Sequence, residues 1–454
     1  MTSDIINNDT ICALATPAGG AIAIIRISGP EALTIASSIC SGITTTTPAN
    51  TIHFTRITDD SEIIDEAMIS VFKTPHSYTG EDSAEISCHG SSYIIQQILN
   101  LLISKGCRMA NPGEFTLRAY LNGKMDLSQA EAVADLIAST NKATHHVAMS
   151  QLRGQFSSEL SSLRKQLLKL TSLLELELDF SEHEDLEFAD RTQLLSLSQT
   201  IEKRITTLAQ SFKTGQALKN GIPVTIIGNT NVGKSTLLNR LIHDDKAIVS
   251  DIHGTTRDII EDTTQINGLT FRFIDTAGLR DTQDEIEQMG IKRSYKKLKE
   301  ATIVIWLTDK KPSEEEIKNM THLTQGKKLI AVQNKIDLLT PTKKEQWISP
   351  TYFVSAKHDI GINTLEQAIY SAANIPEMKE NDVIITSARH YDTLMQAREN
   401  AQRVINGLES QLPSDLIAED LRLVLSNLSE ITGEGQITSQ ETLNNIFKHF
   451  CVGK

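Results

Sequence analysis

The 454-residue chain is short of several things, and each shortage narrows what it can be. No stretch approaches the roughly 18 apolar residues of a membrane span, so no association with a membrane is expected. The N-terminal MTSDIINNDT has neither a basic segment nor an apolar one, which excludes a secretory signal of the usual kind. Cysteines are few and scattered: Cys12, Cys40, Cys88, Cys107 and Cys451. Odd in number and without a CxxC pair, they suggest neither a disulfide framework nor a zinc site. A reducing cytoplasm is the expected location. Positive charge is also short: 44 Lys and Arg against 57 Asp and Glu give a formal charge of −13. A protein that grips nucleic acid through phosphates alone is usually basic. Any handling of RNA must therefore use a local patch, a small contact or a partner.

What remains is an ordinary helix-rich composition, too long for one core and fitting two to four domains. Residues 1–120 mix strands and helices. GAIAIIRISG (Gly20 to Gly29) and EAMISVF (Glu66 to Phe72) read as strands, and SSYIIQQILNLLISKG as a helix ending at Gly106. Residues 121–215 are helical, opened by a capping box at Ser128 and Glu131, and the acidic run Glu182 to Glu187 reads as a solvated loop. Residues 216–378 alternate strands and helices, the pattern of a parallel α/β sheet. Residues 379–454 are helical again, with a second box at Thr438 and Glu441. An α/β unit between two helical stretches suggests an insertion. The expected fold is multidomain: an N-terminal α/β domain, a discontinuous helical domain and an inserted Ras-like P-loop domain.

The strongest chemical signal is VTIIGNTNVGKST, a strand followed by a glycine-rich loop and a helix. Asn231, Val232, Gly233, Lys234, Ser235 and Thr236 form the phosphate cradle. Lys234 reaches the β- and γ-phosphates, and Ser235 ligates Mg²⁺. RFIDTAGLR places Asp275, Thr276, Ala277 and Gly278 at a strand end, where the aspartate can hold Mg²⁺ through water and the Gly278 N–H can sense the γ-phosphate. AVQNKIDL ends a strand on Asn334, Lys335 and Asp337. A carboxylate there accepts from guanine N1–H and its 2-amino group, which adenine lacks. Ser355, Ala356 and Lys357 close a last strand, where a backbone N–H can read O6. Thr256, in DIHGTTRD, is a candidate second Mg²⁺ ligand. In this order the motifs specify a GTP-binding domain of the Ras type. One departure matters: the position after DTAG, where Ras-type enzymes carry a water-orienting Gln, is Leu279.

These motifs, with DTICALATPAGGAIAIIRISG, YTGEDSAEISCHG, NPGEFTLRAYLNGKMDLSQAEAVADLI, DTAGLRDTQDEIEQMGI and the terminal CVGK, resemble the bacterial MnmE (TrmE) family of tRNA-modification GTPases over essentially the whole chain. The resemblance implies an N-terminal domain that binds a tetrahydrofolate derivative (5-formyl or 5,10-methylene form) and dimerises. It implies K⁺-stimulated GTP hydrolysis. With a flavin- and NADH-using partner, MnmG, it implies formation of a 5-carboxymethylaminomethyl-type group on the wobble uridine of certain tRNAs, the tRNA being gripped largely by the partner. Asn231 and the carbonyls of Ser250, Ile252 and Thr255 then match the K⁺ ligands. Ser250, Asp251, Ile252, His253, Gly254, Thr255 and Thr256 match the nucleotide-facing switch. Glu287 matches the residue that positions the attacking water, and Arg280 a switch residue. Arg26, Glu85, Lys124 and Lys454 match folate-site positions, and Cys451 lies near the transferred carbon, as nucleophile or as a positioning group.

The alternative is a ribosome-assembly switch of the Era or Der kind, without group transfer. Era-like proteins carry a GXXG loop in a basic setting, and ITGEGQI is not that. Der-like proteins carry two P-loops, and this chain has one. The CVGK ending has the outline of a prenylation box, but Gly453 and the final Lys454 do not suit that signal.

Overall fold

A computed structural model describes residues 9–60, 62–179, 191–242, 262–274, 298, 300–338, 346–376, 382–433, 440–448 and 450–453. The chain divides into two compact units. The first comprises Met1–Ala138, Ala148–Thr206 and Asp392–Lys454; the second comprises Ser139–Val147 and Thr207–Tyr391.

In the first unit, strands β1 (Ile11–Leu14), β2 (Ile22–Ser28), β3 (Thr51–Asp59), β4 (Glu62–Phe72), β5 (Ser83–His89) and β6 (Arg108–Met109) form one sheet in the order β3-β4-β5-β2-β1-β6. Every pairing is antiparallel except β1 with β6. Residues alternate between the two faces of such a sheet. Ile25, Ile27, Ile57, Ile69, Val71 and Ile86 fill one face and are buried against α1 (Ala32–Ile39) and α2 (Ser92–Ser104), which contribute Ile35, Ile39, Ile98 and Leu102. The other face carries Arg26 opposite Glu85. Near β1 it is covered by Phe115 of α3 (Glu114–Leu121), packed with Ile11, Ala13, Ala110 and Tyr78.

An ion network locks this cover down. Arg118 is only 4% exposed, and its guanidinium meets Asp9 (2.7 Å), Glu114 (3.1 Å) and Glu81 (3.2 Å). Arg108 joins Asp9 and Glu114 from the side, at 2.6 Å each. Burial would raise both carboxyls, but the two guanidiniums outweigh it and hold Asp9 and Glu114 below their ordinary values.

The helical part of this unit differs from the sequence expectation in one detail. Helix α4 (Leu127–Ile137) is capped by Asp126, which accepts from the Gln129 N–H, while the Gln129 side chain returns to the Asp126 N–H. The box lies two residues before the expected Ser128–Glu131. Leu127, the first residue of the helix, is fully buried, and Ser128 instead donates to Asp126 Oδ1 at 2.8 Å. Along the chain follow α5 (Lys142–Leu152), α6 (Gln155–Asp179) and α7 (Arg191–Asn220), and α6 packs along Ser414–Thr432. The last helix, Gln440–Phe447, and Phe450 insert Leu443, Phe447 and Phe450 against Leu127 and Ala130. Both Thr438 and the acidic run 182–187 lie outside the described residues.

In the second unit, strands β7 (Ile222–Ile227), β8 (Asp262–Ile266), β9 (Leu269–Phe273), β10 (Ile303–Thr308), β11 (Lys328–Gln333) and β12 (Thr351–Phe353) order as β12-β11-β10-β7-β9-β8. All neighbours are parallel except the β8–β9 hairpin at one edge. Val224, Phe271, Phe273, Ile303, Ile305 and Val332 form the core with Leu237 and Leu241 of α8 (Lys234–Leu241). Because the strands run the same way, the loops after β7, β10, β11 and β12 gather at one end of the sheet, where open α/β sheets bind ligands.

Removing one partner of a buried ion network leaves the others unpaired. Arg118→Ala should therefore destabilise the first unit by about 3–5 kcal/mol, seen as an earlier transition in thermal denaturation. The depressed carboxyls lend stability that is complete above their ordinary values, 3.8 for Asp9 and 4.5 for Glu114, and is lost as pH falls through the lower folded values. In Arg118→Ala the acid-induced part of that loss should shrink.

Candidate functional site

The end of the second unit's sheet holds four loops in register. After β7, the chain turns through Gly228 and Gly233 into α8, so the first-turn N–H groups face the loop, as an anion site requires. Gly233 has φ +97°, and a Cβ there would stand 2.4 Å from Asn334 Nδ2. A Cβ on Gly228 would meet the Leu307 carbonyl oxygen at 2.1 Å. The loop can close this tightly only on glycine. Lys234 Nζ donates to the carbonyls of Gly228 (2.9 Å) and Asn229 (2.7 Å), across the mouth of the phosphate loop.

After β11, Asn334 is 3% exposed. Its Nδ2 donates to the Val232 carbonyl at 2.8 Å, and its Oδ1 accepts from the Ala356 N–H at 3.0 Å. One amide thus joins the loops after β7, β11 and β12. Lys335, at φ +60°, donates from Nζ to the Asn231 carbonyl at 2.7 Å and pairs with Asp309 after β10 at 3.4 Å. Asp337 accepts from the Ser355 hydroxyl at 2.6 Å, which holds its carboxyl below the usual range, with His358 at 3.7 Å adding to the effect. An ionised, oriented carboxylate at this place accepts from two adjacent N–H groups of a guanine edge.

The structure therefore brings Asn231, Val232, Gly233, Lys234, Ser235 and Thr236 together with Asn334, Lys335, Asp337, Ser355, Ala356 and Lys357, through the loop contacts above and the continuity of the phosphate loop into α8. Asp275, Thr276, Ala277, Gly278, Arg280, Glu287 and the switch from Ser250 to Thr256 lie outside the described residues. Two contributors carry no motif. Asp309 braces Lys335, and Arg240 on α8 donates to the carbonyls of Ala356 (3.2 Å) and Lys357 (3.4 Å), fixing the base-reading turn. Their only sequence signals are an acid at the end of a strand and a basic residue in the last turn of a helix. A cleft of ≈ 230 Å³ beside the loop is lined by Asn229, Trp306, Asp309 and Met320 among others.

The first unit holds a second constellation. Arg26 on β2 donates from Nε (2.9 Å) and Nη2 (2.8 Å) to Glu85 Oε1 on the neighbouring strand. Its guanidinium carbon lies 5.1 Å from the Tyr78 ring centre and 5.6 Å from that of Phe115, a cation held against two aromatic faces. Its Nη1 reaches the Gly453 carbonyl at 3.5 Å. Cys451 and Gly453 are seated nearby. The Gly113 N–H donates to the Cys451 carbonyl at 3.3 Å, and a Cβ on Gly453 (φ +94°) would stand 2.2 Å from the Leu14 carbonyl oxygen. Cys451 is exposed, whereas Cys12, Cys40, Cys88 and Cys107 are buried, and burial pushes the Cys40 and Cys88 thiols up to about 12 and about 11. Lys124 donates to the Pro75 carbonyl at 2.8 Å, bracing the loop that carries Tyr78 rather than touching Arg26. Lys454 lies outside the described residues.

Two family models match the chain. Residues 10–124 match the model of the GTP-binding protein TrmE N-terminus, and residues 127–451 match that of the MnmE helical domain. The chain belongs to the MnmE family. The tRNA modification GTPases MnmE of Phocaeicola vulgatus and Bacteroides fragilis are each 52% identical over 99% of this chain, and cover 99% and 100% of their own lengths. That of Flavobacterium johnsoniae is 51% identical, over 99% of this chain and 100% of its own. This member of the MnmE family is a GTP hydrolase of tRNA modification. Among the described residues, no helix is long and apolar enough to cross a membrane.

Two outcomes follow for this MnmE-family chain. Asp337→Asn exchanges an acceptor for a donor, so GTP affinity should fall by roughly 100-fold or more, while xanthosine triphosphate, with a carbonyl at C2, should become a ligand; competition binding reads both. A maleimide should label Cys451 in preference to the four buried thiols. Arg26→Ala, by unseating Gly453, should raise that labelling rate, measured by mass spectrometry of the intact protein.

Proposed function

We propose that this chain is the K⁺-stimulated GTPase subunit of a complex that builds a 5-carboxymethylaminomethyl-type group on the wobble uridine of certain tRNAs. A flavin- and NADH-dependent MnmG partner would supply the redox step and most of the grip on tRNA. A tetrahydrofolate derivative would supply the one-carbon unit. The observation that carries the reading is that one chain holds a guanine-reading loop set and, in its other unit, an Arg26–Glu85 pair whose arginine reaches the Gly453 carbonyl.

The donors fit the groups proposed. A carboxylate such as Glu85 suits the amino-pyrimidine edge of a pterin, and Arg26 holds it in place. Ser235 and Thr256 would hold Mg²⁺. Asn231, with the carbonyls of Ser250, Ile252 and Thr255, would hold K⁺, which offsets charge developing between the β- and γ-phosphates, as an arginine finger does elsewhere. Glu287, twelve residues past Asp275, would position the attacking water that Leu279 cannot orient, with Arg280 supporting the switch. Lys454 would join the folate site. A homodimer is supported by the open face of the N-terminal sheet, where Ile52, Phe54 and Met68 are exposed on neighbouring strands. The net charge of −13 fits a subunit that leaves most phosphate contacts to its partner in a cytoplasmic complex.

GTP hydrolysis by the purified protein should rise sharply when Na⁺ is replaced by K⁺ at equal ionic strength. Equal rates in the two salts would sink the cation role given to Asn231. Cys451→Ser should spare GTP hydrolysis and abolish tRNA modification in the reconstituted complex. Surviving modification would remove the thiol from the chemistry.

A further inference from the structure

We propose that Arg240 is a positioning residue for guanine recognition: it holds the Ala356–Lys357 peptide so that the Lys357 N–H reads the base oxygen O6. The role rests on the guanine reading of the loops after β11 and β12. It deepens that reading by naming the donor for O6 and the group that aims it.

The turn after β12 has little donor capacity to spare. The Ser355 N–H donates to the Ile360 carbonyl at 2.9 Å, and the His358 N–H to the Ser355 carbonyl at 3.2 Å. The Ala356 N–H, in a buried residue, is spent on Asn334 Oδ1 at 3.0 Å. From Ser355 to His358, the Lys357 N–H is the one backbone donor without a partner among the described residues. It belongs to an exposed residue. It also sits on the turn that orients Asp337, through the Ser355 hydroxyl at 2.6 Å. In guanine the O6 carbonyl adjoins N1–H, so a donor for O6 has to stand beside the carboxylate that takes N1–H.

A peptide unit is planar and trans, so its N–H points opposite to its C=O. Fixing one end aims the other. The Ala356 carbonyl, in the same unit as the Lys357 N–H, accepts from Arg240 Nε at 3.2 Å. Arg240 Nη2 reaches the next carbonyl, that of Lys357, at 3.4 Å. One guanidinium fork thus grips two successive peptides. A cationic donor on the Ala356 carbonyl also polarises the unit and strengthens its N–H as a donor. Among the described residues Arg240 has no carboxylate partner that would draw it away. It stands six residues past Lys234, about 9 Å along α8. The helix that carries the phosphate lysine therefore also carries the group that aims the base reader. An arginine in the last turn of a helix suits the helix dipole as well, but that role touches stability and leaves the choice of base alone.

The test measures the affinity of the full-length protein for GTP, ITP and 6-thio-GTP by calorimetry. ITP keeps O6 and lacks the 2-amino group that Asp337 reads. 6-thio-GTP keeps N1–H and the 2-amino group and carries sulphur, a weaker acceptor, in place of O6. Arg240→Met keeps a long stem and a good helix former but neither donor. The wild type should prefer GTP over both analogues. In Arg240→Met the preference over 6-thio-GTP should shrink by roughly three- to tenfold, the strength of one hydrogen bond, while the preference over ITP keeps its wild-type value. Arg240→Lys, with one cationic donor for the Ala356 carbonyl, should recover part of the lost preference. Equal weakening of all three nucleotides in Arg240→Met, two unchanged preferences, or a fall in the preference over ITP as well overturns the assignment. So does a complete lack of recovery in Arg240→Lys. A wild type that prefers GTP over ITP but binds 6-thio-GTP as tightly as GTP overturns it with the guanine reading intact. A wild type indifferent between GTP and ITP overturns the guanine reading and this inference together.

Discussion

The side-chain amide of Asn334 is the single group on which the nucleotide site depends. A carboxamide has a donor end and an acceptor end, and here each is used within the protein: the donor on the phosphate loop at Val232, the acceptor on the base-reading turn at Ala356. The parallel sheet delivers these loops to one end, but only approximately. The buried amide fixes them relative to one another, because loosening either loop would leave a polar group unpaired away from water, at a cost of about 1–3 kcal/mol. Gly233 follows from the same constraint, since any side chain there would displace Nδ2. Lys335 repeats the device at the surface by tying Asn231 to Asp309. Guanine recognition and phosphate binding are in this way one rigid object.

The first unit uses a different solution. Its Arg26 constellation is assembled by charge: Arg26 is held by Glu85 and by two aromatic faces, and the neighbouring cover is held by the network around Arg118. A backbone carbonyl from the end of the chain completes the arginine's coordination. Two close approaches, at Gly113 and Gly453, let the tail lie against backbone without a gap. Cys451 is thereby presented to solvent rather than buried like the other four cysteines. The acidic composition of the whole is compatible with both devices, since each uses a few paired cations instead of a basic surface.

Much of the nucleotide site was legible because its grammar is local. A strand, a glycine at a fixed offset, a lysine and a hydroxyl sit within thirteen residues, and each base-reading residue ends its own strand. The bracing by Arg240 and Asp309 was not legible, since a lone basic residue in a helix has no pattern to betray it. The N-terminal strands at Gly20–Gly29 and Glu66–Phe72 were readable from alternation, although β4 begins earlier, at exposed Glu62 and Ile63, where the apolar rhythm fails. The boxes Asp126–Gln129 and Ser128–Glu131 overlap in the sequence, and local pattern does not choose between them; the structure closes the first, two residues earlier than the sequence analysis expects. The meeting of Arg26 with Gly453, 427 positions apart, left no periodic trace; only the family resemblance pointed to it.

In the proposed function, this GTPase acts on the wobble uridine of tRNA. The most direct measurement is nucleoside mass spectrometry of tRNA from cells lacking the protein, with and without the wild-type chain restored. The aminomethyl-type substituent at C5 should disappear from wobble uridines on deletion and return on restoration. Wobble uridines that stay fully modified in the deletion strain would contradict it.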